Sequence, residues 1–223
     1  ALVEEGTGAS GGGRQQRLVG FGLNDKGQLD FEAIHQRVQH HNRVHQVCAR
    51  YESTVVLFTD GTLQGTGECG AELKRGVSPA GSGAKQVAVG WYHTLAVTND
   101  GDVMGFGHDH FKPDDKGQLR MPELNGRKVA QAAAGMHHSL LLLENGDVLA
   151  FGCNEHQQCL VPAWPPGSRA VEVAAGGNFS LVLLSSGELL AFGSNTLGQT
   201  RVPKYNAAHL ATELAAQPSA PPA

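Results

Sequence analysis

Cys153-x-x-His156-x-x-Cys159 has the residue types and spacing of a zinc site, because Zn²⁺ accepts thiolate and imidazole donors. A fourth donor is not evident beside it, so no metal centre is expected. His108-Asp109-His110 with Asp114-Asp115 could hold a cation weakly, but reads more simply as a solvated, charged loop. His40, His41 and His45 form a third cluster. Nucleophile chemistry lacks its parts: there is no Gly-x-Ser-x-Gly, and no cysteine set beside a dedicated histidine and acid. The glycine-rich stretch from Gly6 to Gly13 lacks the Lys-Ser/Thr of a phosphate-cradling loop. The expectation is a non-enzyme with no catalytic residue and no cofactor.

What would position these residues is a cassette of about forty residues that recurs. One copy runs Gly90-Trp91-Tyr92-His93-Thr94-Leu95, Asp100-Gly101, Gly105-Phe106-Gly107 and Gly117-Gln118. The next has Gly135-Met136-His137-His138-Ser139-Leu140, Asn145-Gly146, Phe151-Gly152 and Gln157-Gln158. A third has Gly176-Gly177-Asn178-Phe179-Ser180-Leu181, Ser186-Gly187, Phe192-Gly193 and Gly198-Gln199. The leading glycines lie 45 and 41 residues apart. Each copy holds a short apolar run, a turn and a second apolar run, which predicts a β-hairpin with positive φ at both turn positions. A further apolar run before each glycine, such as Val171 to Ala175, predicts another strand. Short strands at this spacing describe a propeller blade.

Weaker copies keep the register. Thr54 to Phe58, Asp60-Gly61 and Thr66-Gly67 form one, with Arg50 in place of the leading glycine and Thr66 in place of phenylalanine. Leu18-Val19-Gly20-Phe21-Gly22 and Gly27-Gln28 form the back half of another, whose front could be Ala1-Leu2-Val3. The tail segment Ala211 to Ala216 lines up with Ala170 to Ala175, so it is expected to supply the first strand of that N-terminal copy and close a ring. A short surface helix over His209 to Ala216 is the alternative. The architecture expected is therefore all-β, a propeller of five blades of four short strands occupying residues 1–216, with 217–223 a disordered tail. Between copies, Phe31, Ile34 and Val38 are spaced for one face of a helix that Asp30 could cap.

The ordered set Gly-x-x-His-Ser/Thr-Leu, Asp/Asn-Gly, Phe-Gly, Gly-Gln resembles the regulator of chromosome condensation repeat family. It is carried by Gly90, His93, Asp100-Gly101, Phe106-Gly107 and Gly117-Gln118, and by Gly135, His138, Asn145-Gly146 and Phe151-Gly152. The resemblance implies a β-propeller, typically seven-bladed, whereas this chain offers five hairpins, so it either closes with five blades or is part of a larger ring. Members of that family carry unrelated functions, so the fold does not select one.

Composition narrows the partners. The 223 residues carry a net charge of -4, which provides no general basic field for a polyanion, and nucleic acid is not expected. No run approaches the ~20 apolar residues of a membrane span. The four cysteines Cys48, Cys69, Cys153 and Cys159 do not make a disulfide framework. The compartment is not specified by the sequence; an intracellular setting is expected over a secreted one, with organelle import after loss of a leader left open.

Binding residues are expected where the copies differ. The loops after each glycine carry Trp91-Tyr92, Met136-His137 and Asn178-Phe179, with Tyr51-Glu52 in the weaker copy. Such loops gather on one face of a propeller, and aromatic residues are enriched at interface hot spots. His108 and His110, on a long loop, are added to that set. The function expected is a protein-interaction scaffold or subunit of a larger assembly. The alternative is a regulator of an enzyme, either a nucleotide exchange factor for a small GTPase or a protein inhibitor.

Overall fold

Among the described residues five antiparallel sheets follow one another along the chain, each built from consecutive strands. The computed structural model describes residues 2–7, 14–39, 42–68, 71–79, 81–107 and 116–202. The first sheet pairs β1 (Leu2–Thr7) with β2 (Arg14–Val19), with Leu2 opposite Val19, so the N-terminal segment joins the back half of the first copy as expected. The second holds β3 (Val44–Arg50), β4 (Ser53–Phe58) and β5 (Leu63–Gly67). The third holds β6 (Ala84–Val89), β7 (His93–Thr98) and β8 (Val103–Gly107). The fourth holds β9 (Val129–Ala134), β10 (His138–Leu143) and β11 (Val148–Gly152), and the fifth β12 (Ala170–Ala175), β13 (Phe179–Leu184) and β14 (Leu189–Gly193).

The expected four strands per blade are not met: these four sheets have three strands each among the described residues. After Gly117-Gln118 the chain turns through Leu119 to Leu124 without entering the ladder, and Pro122 lacks the donor a further strand would need. The ring-closing segment Ala211 to Ala216 and the tail 217–223 lie outside the described residues.

The hairpin turns also differ from expectation. Thr98 N donates to Asp102 O at 2.9 Å and Gly101 N to Thr98 O at 2.9 Å, so the loop is Asn99-Asp100-Gly101. Leu143 and Asp147 close the equivalent loop through the same pair of bonds. Only the glycine takes positive φ, +80° at Gly101 and +89° at Gly146. This is the three-residue turn with one left-handed residue, which tolerates Asp, Asn or Ser ahead of an obligatory glycine.

Packing follows the period of two. In β10, Leu141 and Leu143 point toward Leu95, Val97 and Val129, while Leu140 and Leu142 point toward Val173, Val182 and Leu184. In β4, Val55 and Leu57 face Val87 and Phe106, and Val56 and Phe58 face Leu18, Phe31 and Ile34. The central strands β4, β7 and β10 are buried along their whole length because neighbouring sheets, and for β4 also a helix, cover both faces. Phe31 and Ile34 belong to the predicted helix, observed as α1 (Glu32–Gln39). Phe31 O accepts from His35 N at 2.8 Å, which puts Phe31 at the cap position. Asp30 lies one residue earlier, its carboxylate held by Asn24 Nδ2. A second helix, α2 (Ala71–Arg75), buries Leu73 against the edge of the second sheet.

Candidate functional site

Two recurring polar devices hold the sheets in a fan around an axis. Gln46 uses both ends of its amide on β6, donating to Val87 O at 3.0 Å and accepting from Val87 N at 2.9 Å. Gln86 does the same to Ala132 on β9, at 2.9 and 2.8 Å, and Gln131 accepts from Val173 N on β12 at 2.9 Å. Each glutamine therefore stands in for the backbone ladder that splayed first strands cannot make. The second device closes the loops: Gln28, Gln118, Gln158 and Gln199 accept from the backbone N–H two residues earlier, at 2.8 to 3.1 Å. These glutamines belong to the repeat pattern, whereas the Gln46, Gln86 and Gln131 series was not singled out. Its signal was present in the sequence, as a glutamine at the third position of β3, β6 and β9, with Glu172 at that place in β12.

The repeat histidines sit at the start of the second strands. Ser139 Oγ donates its one proton to Gln118 O at 2.8 Å, so the 2.9 Å contact with His93 is donated by Nε2. His138 Nε2, Ser180 Oγ and Gln158 O repeat the chain at 3.0 and 2.7 Å. Protons run from imidazole to hydroxyl to carbonyl, the reverse of what a general base acting on serine requires. Burial, reinforced by the charges of neighbouring histidines and Arg50, pulls His93 down to about 3. Burial likewise brings His138 to about 4, helped by Arg50 and His137. Both are neutral at pH 7.

Phe179 requires a correction. It was grouped with the tip residues, but it pairs with Gly193 as His93 pairs with Gly107 and His138 with Gly152. It therefore occupies the histidine position at the start of β13, with its ring beneath Gly176. Gly177 stands where Trp91 and Met136 do, so the tip pairs are Tyr51-Glu52, Trp91-Tyr92, Met136-His137 and Gly177-Asn178. His108 and His110 lie outside the described residues.

Three of these tips join in one stack. Tyr51 lies parallel to Trp91, centroids 5.0 Å apart and planes 7° apart, and meets Tyr92 edge-on at 6.0 Å. Tyr92 in turn stacks on His137 at 4.7 Å and 18°. Tyr51 is 53% exposed and takes φ of +53°, a conformation that costs a bulky L-residue about 1–2 kcal/mol. Met136 is half-buried beside His137, and its N–H donates to Gly177 O at 3.0 Å. Asn178 O accepts from Ser194 N at 2.8 Å, just past β14 of the same sheet. Trp164 packs inside the core between the fourth and fifth sheets.

Arg50 completes this end of the fan. The corresponding Gly90 and Gly135 approach the next sheet so closely that a Cβ on Gly90 would lie 2.5 Å from Gly135 O. Arg50 instead sends its side chain inward, and Nη1 donates to Ala134 O at 3.2 Å and Ala175 O at 3.0 Å. One guanidinium thus ties the second sheet to the last residues of β9 and β12.

The zinc-like spacing resolves differently. Cys159 Sγ faces Cys153 O at 3.2 Å, and burial, with the neighbouring Cys153, pushes its thiol up to about 11. Among the described residues no group of three metal-ligating side chains gathers, and no helix is long and apolar enough to cross a membrane.

Comparison with known proteins agrees with this geometry. Three segments, 84–112, 129–158 and 170–199, match the profile of the Regulator of chromosome condensation (RCC1) repeat. No curated protein matches the chain in sequence. Among solved structures, Prp20p from Saccharomyces cerevisiae, studied with its binding to Gsp1p and histones, superposes with a TM-score of 0.66 at 20% identity. That match covers 82% of this chain and 54% of Prp20p. Human WBSCR16 gives 0.55 at 23% identity, covering 68% of this chain and 47% of the other. The chain spans about half the length of these neighbours, and at this identity the likeness establishes the β-propeller fold alone.

Proposed function

We propose, for a chain that carries regulator of chromosome condensation repeats at three positions, that its task is non-catalytic protein docking. The observation that carries this reading is the aromatic stack Tyr51–Trp91–Tyr92–His137, which runs unbroken across three successive blade tips. Exposed aromatic surface held rigid by stacking loses little entropy on binding, which is why such residues anchor interfaces. The left-handed Tyr51 adds support, because backbone strain at an exposed aromatic is tolerated where the residue has a use beyond folding. Prp20p, a structural neighbour, is a protein whose binding to Gsp1p, histones and Kap60 has been studied, which fits a docking role for the shared architecture. The proton order through His93–Ser139 and His138–Ser180 supports a structural part for those residues.

The finer architecture belongs to the same proposal. The single domain closes as a five-bladed ring, with Ala211 to Ala216 pairing beside β1, and serves as a subunit or scaffold of a larger protein assembly. Leu181 and Leu183 on the outer face of β13 are only half-buried, and Phe21 and Leu23 are 76% and 80% exposed. Those two faces are what closure would cover.

The docking reading is tested with Trp91→Ala/Tyr92→Ala in a pull-down from the native source, folding being checked by circular dichroism. A specific partner captured by the wild type and lost by the double variant is expected. Retention of every specific partner by a folded double variant rejects this face. A nucleotide-release assay against a GTPase panel separates docking from the enzyme-regulating alternative.

A further inference from the structure

Arg50 holds more donors than the fold consumes. Its Nη1 serves Ala134 O and Ala175 O, and no described residue accepts from Nε or Nη2. No carboxylate pairs with it among the described residues either. Nε and Nη2 form the side-on edge of a guanidinium, whose two parallel N–H bonds match the two oxygens of a carboxylate. Because Nη1 is anchored to two fixed carbonyls, that fork is ordered before any ligand arrives. His93 and His138 lie close enough to Arg50 at this end of the axis to feel its charge. The rim is apolar, since Tyr51 follows Arg50 directly and continues into Trp91, Tyr92 and His137. Burial lowers the pKa of the guanidinium, as expected of a cation partly stripped of water with no counter-charge.

We infer that the mouth bounded by Arg50, Tyr51, Tyr92 and His137 receives the carboxylate of an aspartate or glutamate from the docking partner. The acid pairs with the Nε/Nη2 fork, and apolar residues flanking it lie on the aromatic stack. This inference rests on the proposed docking role and adds the chemistry that the partner must present.

The test is selection of a phage-displayed random 12-residue library on the full chain, followed by affinity measurement of the best synthetic peptide. Selected peptides are expected to share an Asp or Glu with an aromatic or apolar neighbour. Arg50→Gln should weaken binding on the order of 10- to 100-fold, as should changing the peptide acid to its amide. The two changes together should be far from additive, because they remove one contact. Arg50→Lys, which keeps the charge but loses the fork, should fall between, and serves if Arg50→Gln does not fold. Peptides without an acid, or binding within twofold on either Arg50 variant, overturn the inference. If Trp91→Ala/Tyr92→Ala still abolishes that binding, the docking face stands without its carboxylate anchor. If neither change matters, or no peptide is enriched, both readings fall.

Discussion

The strands β10 and β13 have nearly the same sequence pattern, His-Ser-Leu-Leu-Leu-Leu against Phe-Ser-Leu-Val-Leu-Leu, and end in different environments. β10 is buried at all six positions, whereas β13 alternates buried with half-buried. On β10 Leu140 and Leu142 meet the fifth sheet; their counterparts on β13, Leu181 and Leu183, are half-buried and meet no described sheet. The contrast repeats at the other end, where Phe21 is 76% exposed and its counterpart Phe106 is 4% exposed. A cassette therefore specifies a two-faced sheet, and its neighbours decide whether both faces become core. Interior blades are fixed by contacts on two sides, and terminal blades by contacts on one.

The largest expected effect breaks the interior side of this contrast. Phe106→Ala should destabilise by about 3–5 kcal/mol in denaturant unfolding, while Phe21→Ala should change stability by less than about 0.5 kcal/mol if its ring stays in water. A loss of more than about 2 kcal/mol at Phe21 would show that the end face is covered in solution, as ring closure demands.

Gly90 and Gly177 sharpen the same comparison at the axis. Gly90→Ala places a methyl against Gly135 O and the His93 ring and should cost about 2–3 kcal/mol. Gly177 has open space where its Cβ would go, so Gly177→Ala should stay within about 0.5 kcal/mol.

The interior histidines give a pH dependence. Their folded values, about 3 for His93 and about 4 for His138, lie below the unfolded value near 6.5. The unfolded chain therefore binds protons first as pH falls. Stability is full above about pH 6.5 and declines towards about pH 4, by about 2 kcal/mol for each histidine at pH 5. His93→Asn should remove about half of that slope in urea titrations run from pH 7 to 5. An unchanged slope would mean that the imidazole is not buried neutral.

The smallest effect concerns Gln157, which takes φ of +66° where Gly27, Gly117 and Gly198 stand in other copies. Gln157→Gly should stabilise by about 0.5–1 kcal/mol, since glycine adopts that conformation without the side-chain penalty. Thermal melting detects a gain of that size.

Much of this could be read locally. The recurring glycine, the Asp/Asn-Gly turns and the short apolar runs predicted sheets and their order, because each depends on neighbours within a few residues. The hairpin loops still differed by one residue, since a glycine pair-mate with negative φ looks the same in sequence as one with positive φ. Phe179 was displaced because the paired glycines Gly176-Gly177 blur the start of the copy; counted from Gly176 it falls three residues on, as His93 and His138 do from theirs, and its ladder partner Gly193 agrees. The docking tips were nominated from variation between copies, but their stacking was not legible. Tyr51 and Trp91 are forty residues apart, and their rings meet only because neighbouring sheets splay at a set angle.

By itself, the sequence determined a repeated antiparallel cassette, its hydrophobic faces and its loop-closing glutamines, because these follow from periodicity and short-range hydrogen bonding. Tertiary structure alone decided what replaces the missing glycine at Arg50. Its guanidinium contacts carbonyls 84 and 125 residues away, and such a bond exists only after four sheets have converged on one axis.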